Sequence, residues 1–114
     1  MQWNSFPPAI RLLEAFDGPF EASRLKAEGC DILFGSYPAG TVIEPHQHVT
    51  DNYGVITKGE MFISLAGVER SYGPGDWYHV PANEQHSARC NVATEEIEFW
   101  FAADREVEID AAGQ

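Results

Sequence analysis

From Phe20 onward, apolar and polar residues alternate in short runs: Ser23 to Lys26, Ile32 to Tyr37, Thr41 to Glu44, Tyr53 to Thr57, Met61 to Leu65, Val68 to Tyr72, Trp77 to Val80, His86 to Val92 and Ile97 to Ala102. A two-residue period fits strands that bury one face. Turn residues separate the runs, at Lys58 and Gly59, at Ala66 and Gly67, and densely from Gly73 to Asp76. No helix of three turns is required anywhere. The pattern predicts an all-β fold, a sandwich or barrel of about ten short antiparallel strands. In the last run, alternation groups Ile97, Phe99 and Phe101 on one face and Glu96, Glu98 and Trp100 on the other. The apolar set is expected to face the interior, with Trp100 turned toward a neighbouring subunit or the N-terminal arm.

The chain before Phe20 has a different character. Trp3, Phe6, Ile10, Leu12, Leu13 and Phe16 are scattered around Pro7 and Pro8. That composition reads as an extended arm lying over the barrel or reaching a second subunit, with a helical turn around Ile10 to Ala15. Residues 105–114 are polar and acidic and read as a tail. The expected division is an arm over residues 1–19, a barrel over 20–104 and a tail over 105–114.

A chain of 114 residues, 44% hydrophobic and 22% charged, is long enough for one domain with a core. Its net charge of −11, from 18 acidic against 7 basic residues, repels phosphate backbones, so nucleic acid is not an expected partner. No apolar run approaches the roughly 18 residues of a membrane span, and the start lacks a basic segment followed by an apolar one. A cytoplasmic protein without a membrane partner is therefore expected. Cys30 and Cys90 form no Cys-x-x-Cys pair and are expected to be free.

Candidate chemistry begins with His46 and His48, two residues apart. On a strand both imidazoles share one face, where two neutral rings on a rigid backbone can chelate a divalent transition metal or simply lie on a solvated surface. His86, after Pro81 and Asn83, is the third candidate ligand. The spacing Gly40-x5-His46-x-His48-x3-Asn52-x6-Gly59 resembles the first cupin motif, and Gly75-x5-Pro81-x-Asn83-x2-His86-x3-Cys90 resembles the second. The resemblance implies a double-stranded β-helix, the cupin jelly-roll barrel, with a metal inside held by His46, His48 and His86. Iron, manganese, nickel and zinc are the candidate ions.

Three positions depart from the family pattern. Asn52 stands where a further glutamate ligand is usual, Asn83 replaces a glycine, and Cys90 replaces an asparagine. An amide is a weaker and neutral donor, so the site keeps more of the ion's positive charge and open positions for water or an anionic, chelating substrate. Cupins with three histidines include iron-dependent dioxygenases of thiols and diketones. Asp51 falls on the strand face opposite Asn52. Cys90, four strand residues from His86 and so about 13 Å away, reads as a buried thiol. His79 reads as a surface or subunit-contact histidine, and Arg70 and Arg89 as surface ion-pair partners that a substrate carboxylate could otherwise recruit.

Two functional classes follow. One is a small-molecule metalloenzyme, dioxygenase-like or isomerase-like, in which Asn52 orients a metal-bound water and Tyr53 or Tyr78 donates a proton. The other is a non-catalytic cupin that senses a ligand or metal. A barrel whose histidines have become polar core is a third reading, costly for three imidazoles sharing one cavity. A homodimer is expected, since the resemblance implies pairing and the apolar arm needs a surface to cover.

Overall fold

The computed structural model describes residues 5–16, 18 and 20–102. Expectations for Trp3 and for the tail fall outside them. Among the described residues there are ten strands: β1 (Glu14–Ala15), β2 (Glu21–Ala27), β3 (Cys30–Tyr37), β4 (Val42–His46), β5 (Asp51–Lys58), β6 (Met61–Leu65), β7 (Val68–Tyr72), β8 (Trp77–Val80), β9 (His86–Arg89) and β10 (Thr94–Phe101). They form two antiparallel sheets, a six-stranded one ordered β1-β2-β3-β10-β5-β8 and a four-stranded one ordered β4-β9-β6-β7. The all-β cupin fold expected above is what the chain adopts.

The single turn of helix, α1 (Pro8–Arg11), starts two residues earlier than expected. Proline at the first helical position loses no hydrogen bond and arrives with a helical φ, so the two prolines initiate the turn rather than prevent it. The hairpin between β6 and β7 closes over Ala66 and Gly67, with φ of 54° and 79°, the left-handed pair of a tight two-residue turn.

The core between the sheets is built from Tyr37, Ile56, Met61, Ile63, Tyr78, Val80 and Cys90. On β5, Asn52, Gly54 and Ile56 point inward, and Tyr53 and Val55 lie between them on the other face. Strand β10 corrects the expectation from its apolar pattern. Glu96, Glu98 and Trp100 line the interior cavity, whereas Phe99 stacks on the exposed Trp77 and Phe101 meets Tyr53 edge-on, both on the outer face. A two-residue period tells which residues share a face and not which face is inside. The apolar outer set is shared with β5 and β8, where Ile97 pairs with Val55 and Val55 with Trp77. On the β3 side, Phe6 of the arm packs edge-on against Phe34, and the buried Glu95 carboxylate accepts hydrogen bonds from the Ser5 amide and hydroxyl.

Candidate metal centre

His46 ends β4 and His86 opens β9, directly opposite each other in register after an irregularity between Ile43 and His46. His48 lies just past β4, where its carbonyl accepts a 2.6 Å hydrogen bond from the Asn83 amide. Asn83 adopts φ of 66°, so the family's usual glycine is replaced by a residue that tolerates the left-handed turn. The three ring centroids lie 4.3 to 5.2 Å apart, and one ligand atom from each residue falls within 4.8 Å of the others.

Hydrogen bonds determine which nitrogens face inward. His46 Nδ1 lies 2.7 Å from the Glu44 carbonyl, and His86 Nδ1 lies 3.0 Å from the Glu84 carbonyl. A carbonyl only accepts, so both Nδ1 atoms carry hydrogen, and in the neutral ring Nε2 is left with its lone pair. His46 Nε2 and His48 Nε2 approach to 3.1 Å, about the separation of two nitrogens each roughly 2.1 Å from one ion. Burial and the neighbouring rings of His46 and His86 lower the pKa of His48 to about 4, and burial, opposed by the Glu84 carbonyl, also lowers that of His86. Both shifts favour the neutral ring, the form that binds a metal. The donor set fits a divalent transition metal, with no carboxylate in the cluster.

The histidines open onto a cavity of about 350 Å³. Phe16, Phe20, Ile43, Met61, Ile63 and Trp100 supply apolar wall, and His48 packs on Trp100 at 4.6 Å. Trp100 also meets Phe16 edge-on at 5.7 Å, so it does face the arm, but from inside the barrel. The polar wall is built on Glu96 and Glu98, the two acids that the alternation of β10 was expected to place on the outer face. Tyr37 and Tyr78 each donate a short hydrogen bond to the buried Glu96, and the Tyr78 hydroxyl is also 3.0 Å from Glu98. Burial, reinforced by Glu98 and opposed by the two phenols, raises the Glu96 carboxyl to about 8, and burial raises Glu98 as well. Two acidic residues within an aromatic strand were the available signal: a buried carboxylate pair costs too much to persist without a partner for its proton.

The other candidates are placed as follows. Tyr78 lines the cavity. Tyr53 lies on the outer sheet face, stacked on His79 at 4.2 Å, and the structure does not bring it to the cavity. Asn52 is fully buried; its oxygen accepts from Thr50 at 2.6 Å and its Nδ2 has no partner. The amide therefore presents a donor rather than a free ligand oxygen. Asp51 sits on the outer face with His79, 2.6 Å away. Cys90 is buried and both cysteines are unbridged. Arg89 pairs with Glu69 at 3.0 Å and covers the Phe62 ring, outside the cavity.

A small antiparallel β-barrel with three converging imidazoles at its mouth defines a cupin with a three-histidine cluster. The Cupin_2 family, described as a cupin domain, matches residues 33–102, and the chain belongs to that family. The H2HPP isomerase of Bacillus subtilis is 29% identical over 91 residues, which are 79% of this chain and 38% of that protein. The chain thus spans well under half the length of this relative. Among solved structures, KdgF from Halomonas sp. superposes with a TM-score of 0.71 at 22% identity, covering 82% of this chain and 89% of the other. An RmlC-like cupin from Shewanella frigidimarina superposes at 0.73 and 20% identity, covering 92% and 95%. These likenesses show the fold.

Proposed function

We propose that the protein is a small-molecule metalloenzyme in which His46, His48 and His86 hold one divalent transition metal, iron, manganese, nickel or zinc, at the mouth of the cavity. The observation that carries this reading is the convergence of three imidazoles, two of them turned Nε2-inward by Nδ1 hydrogen bonds to carbonyls, on a largely apolar cavity. When bound, the ion supplies Lewis-acid polarisation of a substrate oxygen. Three neutral ligands leave its charge uncancelled, which favours an anionic substrate that chelates. Proton-transfer chemistry of the isomerase type is favoured over oxygen chemistry by the cavity's own acids, Glu96 and Glu98 beside Tyr78, and the isomerase named among the relatives points the same way. The non-catalytic binding module stays as the second reading, supported by the absence of a carboxylate from the ligand cluster.

The protein is further proposed to pair as a homodimer through the outer face of the six-stranded sheet, where Trp77 is 59% exposed beside Phe99.

Metal titration followed by thermal unfolding tests the site. An ion that binds only the folded state raises the melting temperature with the logarithm of its excess over Kd. The wild-type midpoint rises with one of the four ions and returns on chelation, and His48→Ala shows no rise; an equal rise in that variant contradicts the site. Turnover of an anionic, chelating substrate by the loaded protein, rather than a shift in melting temperature alone, separates enzyme from binding module.

A further inference from the structure

Tyr78 stands between two carboxyl groups with one hydrogen to give. Its hydroxyl contacts both Glu96 and Glu98, while Tyr37 donates to the second oxygen of Glu96. When the Tyr78 hydrogen serves Glu96, Glu98 must carry a proton and donate to the phenol oxygen, or the two oxygens repel. When it serves Glu98, the proton must sit on Glu96. The arrangement therefore stores one proton that can move between the two acids by a concerted shift through the phenol. Both acids line the cavity that holds the histidines, but Glu96 is only 2% exposed whereas Glu98 is partly buried and the more accessible of the two.

The seat of Tyr78 is specifically made. Tyr78 pairs across β5 with Gly54, and a Cβ at Gly54 would run into the phenol ring and hydroxyl. Only glycine lets the ring lie flat enough on β5 to reach both acids.

We propose that Glu98, Tyr78 and Glu96 form a proton relay serving substrates held at the three-histidine site, with Glu98 as the group that meets the substrate. This rests on the metalloenzyme reading above and deepens it to a substrate class: an enolisable 2-oxo acid with an apolar body. In the step, the Glu98 carboxylate takes a proton from the carbon next to the carbonyl. The C–H pair becomes the C=C bond of the enolate as the carbonyl pair moves to oxygen. Redelivery of the proton to the same carbon gives exchange, and to a conjugated carbon gives the isomer. No oxidant or reductant is consumed. Glu96 holds the stored proton, and Tyr78 is the positioning residue that passes it.

The probe is phenylpyruvate, whose carboxylate and carbonyl can chelate, whose methylene protons are acidic and whose ring suits the apolar wall. Deuterium incorporation in heavy water, followed by proton NMR on metal-loaded protein, is measured beside metal content and the infrared band of a protonated carboxyl in the metal-free protein. Wild type exchanges at least 100-fold above the protein-free rate. Glu98→Gln keeps its metal and falls to the protein-free rate. Tyr78→Phe keeps its metal and loses about tenfold. The protonated-carboxyl band of wild type at neutral pH disappears in Glu96→Gln. Glu98→Asp, which keeps the carboxylate, retains part of the exchange and guards against misfolding of the glutamine variant. Metal bound with exchange equal in wild type and Glu98→Gln overturns the relay and leaves the metal reading standing. An identical carboxyl band in wild type and Glu96→Gln also overturns it, whereas wild type with neither metal nor exchange overturns both.

Discussion

At the scale of single residues, the imidazole of His48 and the carboxyl of Glu96 pull stability in opposite directions with pH. Glu96 has its folded pKa raised to about 8 from an ordinary 4.5. The folded state therefore binds more protons than the unfolded one between those values, and stability falls as pH rises through that window. His48, lowered to about 4 from 6.5, does the reverse: in metal-free protein the unfolded state binds more protons, and stability rises from about pH 4 to 6.5. The two oppose below pH 6.5, and from there to about 8 the Glu96 contribution acts without the His48 one, in the same direction as the raised carboxyl of Glu98. Metal-free protein is expected to lose on the order of 1–2 kcal/mol across that upper range. Glu96→Gln flattens the slope in urea titrations at successive pH values; an unchanged slope removes the buried acid from the account.

The same scale shows where sequence reading stopped. His46, His48 and His86 were legible because ligand spacing is a local property of the chain. The acids were not, since their role depends on which face of β10 is inside, and Phe99 and Phe101 made the wrong face look like the core. Tyr53 was misplaced as a site residue because motif adjacency to Asn52 says nothing about strand parity, and its neighbour on the outer face is His79.

At the scale of elements, the strand list was readable because turn residues punctuate it: Gly59, Gly67 and Gly75 all take positive φ where a turn was expected. Ends were less readable. β10 begins at Thr94 rather than Ile97, because the Thr94 hydroxyl, 2.9 Å from the carbonyls of both Glu60 and Val92, gives its one hydrogen to this pair and accepts from the Glu60 amide, anchoring a stretch that polarity alone marks as loop. The close packing of β5 on β8 gives a further prediction. Gly54→Ala forces Tyr78 out of its seat and costs about 1–3 kcal/mol, as overpacking does in a filled core. Denaturant unfolding reads this directly, and a neutral substitution contradicts the packing described for Tyr78.

At the scale of the whole molecule, the two sheets hold between them a cavity with the three histidines at one side and Glu96, Glu98 and Tyr78 among the residues lining the rest. The outer face of the larger sheet carries Tyr53, Trp77 and Phe99, which a solvated sheet face does not need. Sedimentation of the wild type is expected to give the mass of two chains, and Trp77→Lys that of one; a monomeric wild type removes the dimer proposal without touching the site.

The most direct test of the central claim is elemental analysis of protein purified without added metal, beside His86→Ala. Close to one transition-metal ion per chain is expected in the wild type and almost none in the variant, with both folded by circular dichroism. A wild type that is empty and takes up no ion on dialysis, or a variant that holds as much metal as the wild type, contradicts the three-histidine centre.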